Sequence, residues 1–248
     1  NGDGLAVSNL LTIAANDTLT TNGYLDLTNN STTSLVLNGT VNGAGVLYYY
    51  TSDPFPSTGT ISCYVYFYPL SVDMSIPGRT FGGDVLIEAD NTTLHTVTFG
   101  SAGGQTVTIN GFLGVSASST ANVVLNAATY DPTVSVGTNL TFSGTGSGTE
   151  VINAGTGIWT VSGNVNFTNG QYNIEAGNTL VMNGTSKLLT SASQTLGNLT
   201  LSGSITLANA THTMSGNLSM AGGTVTAGTS TLTMTGTSNT ITGGGNTL

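Results

Sequence analysis

Short apolar alternations recur along the whole chain, cut by Gly, Asn or Ser at nearly every break. Six of them read Leu140-Thr141-Phe142, Val165-Asn166-Phe167, Leu180-Val181-Met182, Leu199-Thr200-Leu201, Leu218-Ser219-Met220 and Leu232-Thr233-Met234. Counted from their first residues, the steps are 25, 15, 19, 19 and 14 residues. Their period is two, so Leu, Val and Met point to one face and Thr, Ser and Asn to the other, which is the signature of a half-buried strand. Leu11-Thr12-Ile13, Leu25-Asp26-Leu27 and Leu35-Val36-Leu37 repeat the pattern near the start. Strands this short, joined by small-residue turns, suit the sides of a solenoid coil better than the long strands of a sandwich. The sequence therefore predicts an all-β parallel β-helix, right-handed by the chirality of parallel connections. At about 20 residues per coil and ~4.8 Å per rung, it would be a rod of roughly 50 to 60 Å. A jelly-roll subunit joined by strand donation is the rival fold, and antiparallel pairing would mark it.

Composition decides which functions such a rod can have. The chain has 46 Thr, 25 Asn and 35 Gly among 248 residues, a bias toward strands and turns. Its 38% hydrophobic content separates it from polar disordered chains. Eleven acids face two bases, Arg79 and Lys187, for a net charge of -9, so no basic surface exists to hold nucleic acid or an anionic membrane. Cys63 is the only cysteine, which excludes an internal disulfide framework and a thiolate metal cluster; it reads as a small buried hydrophobe. No apolar run reaches the length of a membrane span, and no cofactor motif occurs. The C-terminal stretch TGTSNTITGGGNTL stops in mid-pattern, so one elongated domain over 1–248, cut from a longer chain, is expected.

Residues 48–78 look different. Tyr48 to Tyr68 contains eight of the 17 aromatic residues, and Pro54, Pro56, Pro69 and Pro77 fall in the same region. An irregular insertion is expected there.

The phrases LGNLTLSG, SGNLSMAGGTVTAGTSTLTMTG, LTIAANDTLTTNGYLDLT and MSIPGRTFGGDVLIEA resemble the β-strand-repeat surface proteins of bacteria and archaea, large exported adhesin-like proteins built of parallel β-helix coils. The resemblance covers about 200 of the 248 residues and implies an extracellular structural or adhesive rod, self-associating into a stalk, sheath or filament, with no catalytic centre. The Tyr-rich stretch departs from that pattern.

Five groups of residues are candidates for function. The first comprises eleven N-x-S/T sequons, at Asn16, Asn29, Asn30, Asn38, Asn91, Asn139, Asn166, Asn183, Asn198, Asn209 and Asn217; these are glycosylation acceptors or plain corner residues. The second is GGDVLIEAD, where Asp84, Glu88 and Asp90 alternate with inward Val85, Ile87 and Ala89. Glu88 and Asp90 would stand about 6.6 Å apart, near the spacing of glycosidase carboxylates, and Arg79 is close in sequence. This motif supports the rival function, a carbohydrate-binding or carbohydrate-active β-helix of lyase or hydrolase type; a solvated acidic face or a weak Ca²⁺ site are the other readings. Third, His95 and His212 are 117 positions apart and read as surface or turn residues. Fourth, Thr rows such as Thr231-Leu232-Thr233 resemble flat ice-binding faces, but their spacing in sequence gives no coil-to-coil register. Last, Tyr64, Tyr66 and Tyr68 share the outer face of one strand, with Val65 and Phe67 on the other, and suit subunit packing or sugar contact.

Overall fold

The computed structural model describes residues 4–28, 34–51, 53–68, 73–89, 94–118, 120–220 and 222–244. Among them run 32 short strands and no helix, and every pairing is parallel, which removes the jelly-roll alternative. The strands stack into two long sheets of eleven and a third, segmented face of two, five and three strands. One circuit visits each face once. Arg79–Phe81 lies on the second long face, Val85–Ala89 on the first, and His95–Phe99 on the third, before Thr106–Ile109 returns to the second. About ten turns result, and at ~4.8 Å per rung the ladder is roughly 50 Å long.

The period of two explains the core. On the first long face Leu25 stacks on Leu47, then Val65, Val85, Leu113 and Leu140, one per coil. Each is essentially free of solvent contact. On the second face Trp159, Leu180, Leu199 and Leu218 form a comparable column. Because each coil buries its apolar side only against its neighbours, the columns run unbroken even though coil length varies. Val46 lies 18 residues before its partner Tyr64, whereas Val85 lies 28 before Leu113. The two GNL phrases are stacked neighbours, with Leu199 on Leu218 and Thr200 on Ser219.

The irregular stretch expected at residues 48–78 narrows to 50–59, where the described residues form no strand and the third face is interrupted between Leu35–Leu37 and Met74–Ile76. Val46–Tyr49, Thr60–Ile61, Tyr64–Phe67 and Met74–Ile76 each take a regular place in the ladders. Tyr49 and Phe67 occupy the inward position that Leu27 and Ile87 hold in adjoining coils. Together with Phe55 and Phe81 they make a buried aromatic cluster, with centroid distances of 4.8 to 5.9 Å. Of the eight aromatics between Tyr48 and Tyr68, Tyr49, Phe55 and Phe67 fill the core, and the other five lie outward on the ladder.

Two other expectations change. His95 and His212 are buried, not superficial. His95 points inward on the third face, stacked with Val123, and His212 meets Ser191 Oγ at 2.8 Å and the Ala208 carbonyl at 3.0 Å. A polar partner in the preceding coil makes an inward histidine tolerable. The threonines, too, are in register. Thr80, Thr108, Ser135, Thr160, Val181 and Thr200 form one outward column on the second long face.

Candidate binding platform

Tyr64, Tyr66 and Tyr68 lie outward on the first long face, as the alternation predicts, while Val65 and Phe67 are fully buried. Parallel register adds what the spacing within one strand cannot show. Tyr48 pairs with Tyr66, and Tyr50 stands beside Tyr68, because the preceding strand Val46–Tyr49 alternates in the same phase. Five of the nine tyrosines therefore share one outer surface. Ring centroids lie 5.1 Å apart for Tyr48–Tyr66 and for Tyr50–Tyr68 across the rungs. Along the strands they are 5.8 Å for Tyr48–Tyr50, with planes within 8°, 6.3 Å for Tyr64–Tyr66 and 5.7 Å for Tyr66–Tyr68. Phe112 closes one end, its ring 5.7 Å from Tyr64. All five tyrosines are half-buried, so each ring is held by its neighbours.

Carboxylates border this surface along the rod axis on both sides. Asp26 is paired with Tyr48 one rung below. Above, Glu88 accepts the Tyr66 hydroxyl, and the Asp84 charge acts on Tyr64. Asp84 Oδ1 also accepts the Phe112 amide at 2.8 Å, which fixes the corner next to the platform. Burial, then the Glu88 hydrogen bond, raises the Tyr66 phenol well above its usual range. Burial and the Asp84 charge push Tyr64 up to about 12. Both phenols are thus held in the protonated form, the proton of Tyr66 being donated to Glu88. Desolvation also raises the Asp26 carboxyl, whose Oδ1 is buried with no partner.

The paired-carboxylate motif divides. Asp84 and Glu88 are outward and half-buried on the platform's border. Asp90 lies outside the described residues, as do Asn29, Asn30 and Asn91. Arg79 does not join the acids. It occupies an inward position next to Val107 and reaches the carbonyls of Pro56 and Gly59, its guanidinium 4.9 Å from the Phe55 ring and 5.1 Å from that of Phe81. Burial lowers its pKa to about 10. No group of three or more His, Cys, Asp or Glu side chains that could hold a metal ion occurs among the described residues. Cys63 is buried and its thiol is pushed up to about 11 by desolvation.

Of the remaining sequon asparagines, Asn166 ends and Asn198 begins a strand, and the others lie in the turns between strands. Asn139, Asn209 and Asn217 each use Oδ1 to accept a backbone amide of the next coil, from Asn164, Thr229 and Thr240. Asn198 does the same for Asn217 and donates Nδ2 toward Gly177 and Thr179. Asn166 accepts from Thr168, the hydroxyl residue of its own sequon. Asn38 lies near the Thr58 hydroxyl, Asn16 adopts φ 71° in a turn, and Asn183 donates its amide to Val161. These bonds satisfy turn amides that would otherwise lack partners. The side-chain bonds of Asn38, Asn139, Asn166, Asn209 and Asn217 use Oδ1 rather than Nδ2, the atom an N-linked glycan would occupy, whereas Asn198 uses both.

Sequence reasoning missed Tyr48, Tyr50, Asp26 and Glu150. The first two were legible from VLYYY, whose alternation matches YVYFY once the two are set one coil apart. Glu150 is different: it is inward, stacked with Val123, and accepts the Ala117 amide at 2.8 Å while its other oxygen has no partner. No family model, curated protein or solved structure matches the chain. No helix among the described residues is long and apolar enough to cross a membrane.

Proposed function

We propose that this chain is a non-catalytic structural and adhesive segment of an extracellular surface protein, a stiff β-solenoid that presents the tyrosine platform to its partner. The observation that carries this reading is the placement of five tyrosines, in register over two coils, on the outside of a continuously cored rod. Large amphipathic rings with few rotatable bonds are the side chains that give contact energy at low entropic cost. The carboxylates at the border serve the platform as hydrogen-bond acceptors, since Glu88 is already engaged by Tyr66 and Arg79 is turned into the core. The two ladders of eleven strands suit a mechanical part, because any rung transmits its position to the next.

Beads coated with the purified chain and washed over a biofilm matrix film test the reading. The unmodified chain is expected to retain beads, and the double variant Tyr66→Ser/Tyr68→Ser to release them while keeping its strand circular dichroism. Equal retention by both, or none by either, would remove the adhesive role.

A further inference from the structure

The proposed adhesive reading leaves the partner's chemistry open, and the inference made here rests on it. We infer that the platform formed by Tyr48, Tyr50, Tyr64, Tyr66 and Tyr68 binds a linear, non-anionic polysaccharide whose sugar units follow the strand direction across the rod.

Three observations on the surface select this ligand. The first is the division of aromatic residues between faces. In the same coils the inward rings are Tyr49, whose hydroxyl donates to the Asp53 carbonyl, with Phe55, Phe67 and Phe81, whereas the outward cluster is tyrosine throughout, closed by Phe112 at one end. An apolar protein partner would be served as well by Phe, whereas rings that carry hydroxyls at their rim, with a carboxylate already bonded to one of them, match a partner that combines apolar faces with hydrogen-bonding groups. Sugars combine such groups with apolar C–H faces.

The second is spacing. Tyr64, Tyr66 and Tyr68 form a line with centroid separations of 6.3 and 5.7 Å, and the Tyr48–Tyr50 pair repeats it one rung away at 5.8 Å. The line from Tyr64 to Tyr68 is about 13 Å long at ~3.3 Å per residue, room for about three sugar units laid end to end, one to a ring.

The third is charge. Asp26 lies on one side of the rings and Asp84 and Glu88 on the other, all acceptors for sugar hydroxyls or for a protonated amine. Of the two basic residues in the chain, Arg79 is buried against Phe55 and Phe81, and Lys187 lies on a strand four rungs beyond Val85–Ala89. Nothing on the platform can pair with a uronate, a sulfate or a phosphate. Neutral glucans and aminated chains fit; polyuronates and nucleic acids are repelled.

The test uses the whole 248-residue chain and three soluble probes: cello-oligosaccharides, chitosan oligosaccharides and polygalacturonate oligomers. Calorimetric titration is expected to give binding for one or both of the first two and none for the third. Tyr66→Ala and Tyr68→Ala are each expected to weaken binding about tenfold or more, equivalent to one lost aromatic contact. Glu88→Gln, which leaves the rings in place, is expected to weaken chitosan binding more than cello-oligosaccharide binding. Buried Phe67 and the ladder bonds are untouched by these changes, and an unaltered melting transition shows that each variant is folded.

Three outcomes with the isolated chain overturn the inference: no binding of either non-anionic probe, binding that the tyrosine variants leave unchanged, or a platform whose variants alter only the mass of the chain in solution, which would make it a contact between copies. The adhesive reading fails separately. Bead retention that is lost in Tyr66→Ser/Tyr68→Ser but survives periodate destruction of the matrix sugars would sink the saccharide ligand and leave adhesion standing.

Discussion

Gly203 offers a direct test of how tightly the coils are stacked. It ends the GNLTLSG phrase, at a corner where successive coils place glycine over glycine. A Cβ added at Gly203 would lie 1.9 Å from the Gly184 carbonyl oxygen, one at Gly184 would lie 1.8 Å from that of Ser162, and one at Gly223 would lie 2.2 Å from that of Gly203. In each case the obstacle is backbone. The same Gly184 carbonyl accepts the Ser204 amide at 3.0 Å. Moving it by the ångström or more that a methyl group needs would break that bond, since hydrogen bonds weaken steeply beyond about 3.2 Å. Loss of the ladder bond costs about 0.5–1.5 kcal/mol, and the residual crowding about 1–3 kcal/mol. Gly203→Ala should therefore destabilise the rod by about 2–4 kcal/mol, lowering the melting temperature by roughly 5–15 °C for a chain of this length. Gly103→Ala is the control: nothing lies within 4 Å of the position its added methyl group would take, so a change within about 0.5 kcal/mol is expected. Thermal melts followed by far-ultraviolet circular dichroism compare the two, and amide exchange at Ser204 localises the effect. If Gly203→Ala melts with Gly103→Ala, the coils are not in contact at this corner and the stacking argument is wrong.

Other perturbations probe buried polar groups. Arg79→Met should lower the urea midpoint, because the Pro56 and Gly59 carbonyls lose a charged donor and the Phe55–Phe81 pair loses its cation; hydrogen bonds to charged groups contribute about 1.5–3 kcal/mol. An unchanged midpoint would mean that the guanidinium is replaceable by its own apolar stem. Glu150 has its carboxyl raised above the usual 4.5, chiefly by burial, so the folded chain holds that proton more tightly than the unfolded one. Its contribution is present below about pH 4.5 and is lost as pH rises toward the raised value. Glu150→Gln should abolish that part of the fall in stability, and a pH–stability profile identical to that of the unmodified chain would refute the assignment. Cys63, buried and with its thiol held near 11, should resist a disulfide reagent at neutral pH until the chain is unfolded by denaturant. Rapid labelling of the folded chain would contradict its placement.

Strands were legible in the sequence because a period of two needs only neighbouring residues. Leu140-Thr141-Phe142, Leu180-Val181-Met182 and Leu232-Thr233-Met234 are all strands, yet they lie on three different faces. The 19-residue step from Leu199 to Leu218 is a full coil, whereas the 15-residue step from Val165 to Leu180 is a passage from the first long face to the second. Nothing local distinguishes these two kinds of step, and so the register was hidden. Every later error follows from that. Without register the threonine column reads as scattered, Tyr48 and Tyr66 read as unrelated, and His212 has no visible partner in Ser191, 21 residues earlier. The extent of the irregular aromatic segment was overestimated for a related reason: Tyr and Phe density hides the strands Val46–Tyr49 and Tyr64–Phe67 unless it is known that Tyr49 and Phe67 replace aliphatic residues in a shared column.

The hydrogen bonds of such a rod run along its axis, from coil to coil, while the chain itself winds across it. Tension applied along the axis to the ends therefore bears on the last rung first, and coils peel away one after another instead of yielding together. Each released coil adds its extended contour, about 60 Å for the 18 residues between Val46 and Tyr64 and about 95 Å for the 28 between Val85 and Leu113. Because coil length varies, a rod pulled in this way would lengthen in a saw-tooth whose successive teeth differ in size, with the longest increments in the middle of the rod.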